Sequence, residues 1–192
     1  MNTKIYLLPL LLLAVLFASC EETDEVGRYD DWRARNDAFI DSLYTVYTTQ
    51  PDRGGLDSIH LISAPDKFIF YKTLTPVTPN DGTPVYGDTP LYTESVSTYY
   101  KGAYINKDIF DGNFTGVDPN LNFDSPTTFG VSGVVVGWTE MLQRMKVGER
   151  RLMYIPWEFG YGENDYTAYG STKTIPGGSV LIFDMQLMSI KD

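Results

Sequence analysis

The stretch from Val134 to Phe183 constrains this chain more than any other part of it. A strand-like run, Val134-Val135-Val136, meets Gly137-Trp138 and passes into a short amphipathic segment. There Trp138, Met141, Leu142 and Met145 recur at i, i+3, i+4 and i+7, the spacing of one helical face, which predicts a helix over Gly137 to Met145. Lys146-Val147-Gly148-Glu149 reads as a turn and leads to a second strand ending at Ile155-Pro156. Tyr161-Gly162, Ile175-Pro176-Gly177-Gly178 and a last strand holding Phe183-Asp184 complete the order. The residues themselves support a sheet with one short helix.

Upstream, Phe68 to Tyr71 is a strand candidate, and Pro76 to Pro90 reads as loop from its Pro, Gly and Asp residues. Ser95 to Tyr100 alternates as a strand that continues through Gly102 into Ala103-Tyr104-Ile105, and Phe110-Asp111 follows a turn. Asp30 to Thr49 predicts a helix, with Asp30 or Asp31 as its cap and Trp32, Phe39, Ile40, Leu43, Val46 and Tyr47 at roughly helical spacing. Asn36 interrupts that face. Such a helix is marginal alone, so it packs on its own domain or serves as a dimerisation or partner helix. Gln50 to Gly55 breaks it, and residues 56–66 read as a connector.

The first nineteen residues read as a leader. Lys4 is the one charge before an apolar run from Ile5 to Phe17, which is short for a bilayer span and flanked like a signal segment. Leu16-Phe17-Ala18-Ser19-Cys20 looks like a bacterial lipobox, and Cys20 is the one cysteine of the chain, so no intrachain disulfide forms. Lipidation of Cys20 is expected, with the acidic run Glu21 to Glu25 as a tether. That run also resembles the export tag of some Bacteroidetes lipoproteins. An outer membrane lipoprotein follows, displayed at the cell surface or on the periplasmic face. The boundaries expected are 1–19 for the signal peptide, 20–66 for tether, helix and connector, and 67–192 for the main domain.

The formal charge of −10 makes the chain a poor partner for nucleic acid or anionic lipid. His60, the one histidine, lies in the connector, which argues against a histidine-based triad or metal site. Asp111-x-Asn113-x-Thr115-Gly116 partly imitates a calcium loop, but its twelfth position is Asn122 rather than Glu. Gly130-Val131-Ser132-Gly133 has no phosphate-binding Lys after it and fits a turn. No cofactor or metal is expected.

The ordered pieces from Val134 to Phe183 resemble the FK506-binding-protein (FKBP) family of peptidyl-prolyl cis-trans isomerases. Tyr100-Lys101-Gly102 with Phe110-Asp111 is a second match at the family's spacing. The resemblance implies an α+β fold, an antiparallel curled β-sheet of about five strands wrapped over one short α-helix, here with an N-terminal helical extension. It implies a non-covalent apolar pocket that accelerates X–Pro isomerisation in exported proteins; the alternative is a non-catalytic binding module or chaperone on the cell envelope. Carried over residue by residue, Tyr100, Phe110, Asp111, Trp138, Tyr161 and Phe183 are the catalytic set, and Val134, Val135 and Ile175 are substrate-binding. Trp138 would be the floor under the proline ring, with Phe110 and Phe183 as walls. Tyr161 would offer its hydroxyl and Ile175 its backbone N–H to substrate carbonyls. Asp111 would stand at the edge, accepting from Tyr100 or polarising the bound imide. Partners implied are proline-containing polypeptides, the membrane through the lipid anchor, and FK506-like macrolides. The chain departs from the family pattern in four places, one being Gly177-Gly178 after Ile175-Pro176, where a second Pro is common. Another aromatic is expected between the two motifs, for which Phe123 and Phe129 are the candidates, an Arg after Phe-Asp is missing, and the loop Glu163 to Thr174 is long enough for Tyr166 and Tyr169 to cover or extend the pocket.

Overall fold

The computed structural model describes residues 27–61, 64–79, 82–169 and 172–191, so the expected signal segment and Cys20 lie outside the described residues. The chain divides into two units, residues 1–30 and 31–192. Of the first, a turn at 27–30 is described, in which the Asp30 carboxylate accepts from the Gly27 N–H at 2.6 Å. The rest of the description concerns the second.

Helix α1 spans Trp32–Thr49. Asp31 occupies the cap position but in a left-handed conformation (φ 48°) and makes no side-chain cap bond. Of the two carboxylates expected to cap the helix, that of Asp31 does not do so. A stretch expected to be a connector is instead a hairpin: β1 (Asp57–Leu61) pairs antiparallel with β2 (Ala64–Leu74), with Ser58 opposite Phe70 and His60 opposite Phe68. Ile59 and Leu61 alternate with polar neighbours, a pattern too short to stand out in sequence. Strands β3 (Ser95–Ala103), β4 (Ile109–Gly112) and β5 (Thr127–Gly130) follow. Helix α2 (Val136–Leu142), β6 (Arg150–Ile155), the small pair β7 (Tyr166–Thr167) and β8 (Thr174–Ile175), and β9 (Leu181–Lys191) complete the order.

The main sheet is antiparallel in the order β1-β2-β6-β9-β3-β4, with β5 also on β3. It has seven strands rather than about five, because β1 adds an edge and two strands share one edge of β3. Asn113 explains that sharing. Its side-chain oxygen accepts from the Tyr100 N–H (2.9 Å) and its amide nitrogen donates to the Thr98 carbonyl (2.9 Å), so a side chain replaces a strand where β4 has ended and β5 has not begun.

Side chains alternate across each strand, and the two faces carry different partners. Leu181, Phe183, Met185 and Leu187 of β9, with Met153 and Ile155 of β6 and Val96 and Tyr100 of β3, form one core with Trp138, Met141 and Leu142 of α2. The helical stripe read from the sequence is the buried face. The helix ends at Leu142, three residues short of the expected Met145. Its last turn tightens into i→i+3 bonds, Arg144 N–H to the Met141 carbonyl and Met145 N–H to the Leu142 carbonyl, and Met145 is still fully buried. A Cβ on Gly137 would collide with Ile155, so glycine there lets α2 lie directly on β6.

The opposite face is covered by α1. Phe39 packs on Tyr154, Tyr44 on Phe68 and Tyr47 on Phe70, with ring centroids 5.4–5.9 Å apart. The helix therefore uses its apolar face on its own domain. Asn36, which looked like a flaw in that face, is fully buried and holds the helix in place. Its oxygen accepts from the Val180 N–H (2.7 Å) and its nitrogen donates to the Trp32 carbonyl (2.7 Å), while the Trp32 indole N–H donates to the Ser179 hydroxyl (2.8 Å).

Candidate active site

The site lies between α2 and the concave side of the sheet. Strand β3 sends Tyr100 inward and, two residues on along the same face, Gly102. A Cβ on Gly102 would sit 2.6 Å from ring atoms of both Phe110 and Phe183, so the Tyr-x-Gly spacing brings one aromatic in and clears the space for two more. Phe183 lies opposite Gly102 on β9, and Phe110 comes from β4.

These rings enclose Trp138. Tyr100, Phe129 and Phe183 stand edge-on to it, with centroids 5.3, 5.3 and 5.0 Å away and interplanar angles of 80–83°. Aromatic pairs prefer this geometry because a positive ring edge meets a negative face. Trp138 is 4% exposed, and its indole N–H has no acceptor among the described residues. Of the two candidates for the extra aromatic, Phe129 takes the place; Phe123 is 86% exposed.

Above Trp138 opens a cavity of about 390 Å³ lined by Tyr100, Asp111, Phe129, Val134, Val135, Tyr161 and Phe183, together with Gly133 and Tyr166. Beside it lies a smaller lobe of about 230 Å³ that holds Phe110 and Ile175 and shares Asp111, Tyr161 and Tyr166 with the first. The nine expected pocket residues are thus gathered in one two-lobed groove, seven in the larger lobe and two in the smaller. Gly133, Ala168 and Lys173 were not foreseen, and nothing in their local sequence marks them. Tyr166 was foreseen only as a residue of a covering loop.

Polar groups are few. The Tyr100 hydroxyl donates to the Asp111 carboxylate at 3.1 Å, and the other Asp111 oxygen accepts from the Gly112 N–H at 2.8 Å. Burial, and then the Asp111 charge, push the Tyr100 phenol far above its usual value. Burial pushes Tyr161 up as well, reinforced by Tyr166 and Asp111. Both hydroxyls therefore keep their protons and stay hydrogen-bond donors at neutral pH. No hydrogen bond of the Tyr161 hydroxyl occurs among the described residues. The arrangement offers an aromatic container whose lining carries one carboxylate, the Lys173 ammonium and three phenols, those of Tyr100, Tyr161 and Tyr166. Among the described residues it holds no nucleophile–base pair.

Comparison with known proteins agrees with this geometry. A family model described as FKBP-type peptidyl-prolyl cis-trans isomerase matches residues 87–188. A peptidyl-prolyl cis-trans isomerase of Arabidopsis thaliana is 35% identical over 97 residues, covering 50% of this chain and 57% of its own length. The FKBP-type isomerase FkpA of Escherichia coli is 32% identical over 105 residues, covering 55% of this chain and 34% of its own. The chain thus spans little more than half, or less, of these relatives. The crystal structure of FkpA from Escherichia coli superimposes with a TM-score of 0.57 at 22% identity, covering 99% of this chain and 75% of that one. A peptidyl-prolyl isomerase structure from Pseudomonas syringae gives 0.53 at 23% identity, covering 82% and 96%. These likenesses establish the fold.

Proposed function

The chain belongs to the FKBP-type peptidyl-prolyl cis-trans isomerase family, and from that premise we propose that it accelerates cis–trans isomerisation of X–Pro bonds in exported polypeptides. Isomerisation about a peptide bond crosses a barrier of ~18–20 kcal/mol, slow enough at X–Pro to limit folding. The planar amide is polar through resonance, and the twisted transition state loses that resonance and much of its charge separation. An apolar groove therefore disfavours the planar state relative to the twisted one, which is differential binding with no covalent step. Trp138 would floor the proline ring, with Tyr100, Phe129 and Phe183 around it. The Tyr161 hydroxyl would donate to a substrate carbonyl, and Asp111, anchored by Tyr100, would face the imide.

The observation that carries this reading is that the cavity over Trp138 is open and not filled by any of the described loop residues. An internally occupied groove would have favoured the binding-module alternative. An FK506-like macrolide would compete for the same cavity. NMR exchange on a Leu-Pro or Phe-Pro peptide should show acceleration that is lost in Asp111→Val and Phe183→Ala. Asp111 is exposed, so its variant separates chemistry from folding, whereas truncating Phe183 also costs about 3–5 kcal/mol of stability. A folded wild-type protein that accelerates neither peptide would refute the reading.

We place the protein at the cell envelope as part of the same proposal. Among the described residues no helix is long and apolar enough to cross a membrane. The support for anchoring is the lipobox-like run ending at Cys20, followed by the acidic residues Glu21 to Glu25.

A further inference from the structure

Two arms of backbone carry Tyr161 and Ile175 into the groove. The first runs from the 3₁₀ turn Trp157–Phe159 through Tyr161 to Glu163, and the second from Ile175 to Val180, just ahead of β9. They are tied to each other. The Gly178 N–H donates to the Gly162 carbonyl at 3.0 Å, and the Gly162 N–H donates to the Trp157 carbonyl at 3.0 Å. The Gly177 N–H donates to the Asp165 carboxylate at 2.8 Å. Both arms are also held by α1, which ends at Thr49 and so lies outside the family match that begins at residue 87.

The first two turns of α1 reach each arm. On the second arm, the Ser179 hydroxyl that accepts from the Trp32 indole donates in turn to the Pro176 carbonyl (2.5 Å), and Asn36 holds the Val180 N–H. On the first arm, the Trp157 indole N–H donates to the Asp37 carboxylate at 2.9 Å. Arg33 engages both arms at once. Its guanidinium lies over the Trp157 ring, 4.4 Å from the centroid, with the Glu163 carboxylate 3.6 Å away. Its aliphatic stem packs on Gly178, where a Cβ would come within 3.0 Å of Arg33 Cγ. Arg33 and Glu163 are half exposed, so their ion pair adds little by itself. The contact of guanidinium with indole and of stem with glycine is what spans the two arms. Arg33 lines neither lobe of the groove.

We infer that the start of α1 is a clamp on the groove and that Arg33 is a positioning residue for isomerisation, acting through the spacing of Tyr161 and Ile175. The inference rests on the isomerase reading above. An X–Pro bond can be twisted only if the chain on its two sides is held while the amide turns, and Tyr161 and Ile175 are the residues expected to hold the substrate carbonyls. The proline itself rests over Trp138, whose ring neighbours Tyr100, Phe129 and Phe183 come from β3, β5 and β9. A loosened clamp therefore leaves the floor in place and degrades the grip on the twisting bond. The loss falls on kcat rather than KM, because it removes orientation and not the apolar contact that binds the proline.

The test compares wild type, Arg33→Ala and Arg33→Lys on a Leu-Pro peptide, with kcat and KM from NMR exchange, urea midpoints, and backbone amide shifts. Arg33→Ala should lower kcat about tenfold while changing KM less than about twofold, within the loss that a misplacement of ~1 Å brings. Its urea midpoint should stay close to wild type, since the side chain is half exposed. The Tyr161 and Ile175 amides should shift while those of α2 do not. Arg33→Lys keeps a stem on Gly178 and a cation over Trp157, and should recover most of the rate. An unchanged kcat in Arg33→Ala would overturn the assignment. So would a rate loss that follows a fall in the urea midpoint with amide shifts spread across the domain, because that marks general destabilisation. If wild type accelerates nothing, yet Arg33→Ala shifts the Tyr161 and Ile175 amides selectively, the isomerase reading fails and the clamp stands as a determinant of groove shape. Without that selective shift the clamp fails too.

Discussion

Two residue features set the chemistry of the groove, a missing side chain and a pair of protonated phenols. Gly102 is placed where a methyl group would strike Phe110 and Phe183 together. Both rings are well packed, 9% and 4% exposed, so neither can swing aside freely. Gly102→Ala should cost about 1–3 kcal/mol in urea unfolding, as overpacking does. It should also lower isomerase activity by up to about 100-fold, the loss that a displacement of ~1 Å brings. Comparing the two measurements at a temperature where the variant is folded separates them. The phenols make a second prediction. Burial raises Tyr100 and Tyr161, and Tyr71, Tyr99 and Tyr154 as well. Unfolded tyrosines lose their protons near pH 10 while these keep theirs, so above about pH 10 the unfolded chain binds fewer protons and stability falls. The contribution is fully present below about pH 10 and is lost as pH rises towards the folded values. Urea midpoints at pH 8 and 11 should show the fall, and Tyr100→Phe should make it shallower.

At the scale of elements, the fold joins an outer helix to the groove's wall through aromatic contacts. Trp32 of α1 meets Tyr104 (5.8 Å), Tyr104 meets Phe110 (4.8 Å) and Phe110 meets Phe183 (5.5 Å). Asn36 is the pin of this arrangement, since it ties α1 to the backbone just ahead of β9. Asn36→Ala leaves the Val180 N–H buried without its partner and should destabilise the protein by about 1–3 kcal/mol in thermal or urea unfolding. A loss no larger than that of an exposed α1 substitution such as Asp41→Ala would show that the pin is dispensable. A second polar arrangement ties the 113–126 segment to the sheet. The buried Arg150 guanidinium donates to Asp184 (2.7 and 2.6 Å), to Asp118 (2.6 Å) and to the Val117 carbonyl (3.1 Å). Desolvation of that cation is thus offset by two carboxylates on different elements.

At the scale of the whole molecule, the proposal is a folding helper held at a membrane. Cys20→Ala should abolish acyl labelling and release the protein from the membrane fraction. Co-sedimentation of that variant with membranes to the wild-type extent would refute the anchor. Protease shaving of intact cells distinguishes surface display, where the domain is cut, from periplasmic display, where it survives.

The sequence by itself determined the sheet-plus-helix class, and its resemblance to the FKBP family named the groove's main residues. The α2 stripe, the β3 alternation and the Tyr-x-Gly pair are local spacings, and they are preserved on folding. It did not reveal β1, because Ile59 and Leu61 alternate over too few residues to stand out from a connector. It misread Asn36 as a defect in an apolar face, because the N–H that Asn36 satisfies belongs to Val180, far along the chain. Only the tertiary structure chose Phe129 over Phe123, split one edge of β3 between β4 and β5 around Asn113, and stacked Tyr166 on Tyr161. Those outcomes depend on which distant groups share one small volume, and a one-dimensional pattern carries no information on that.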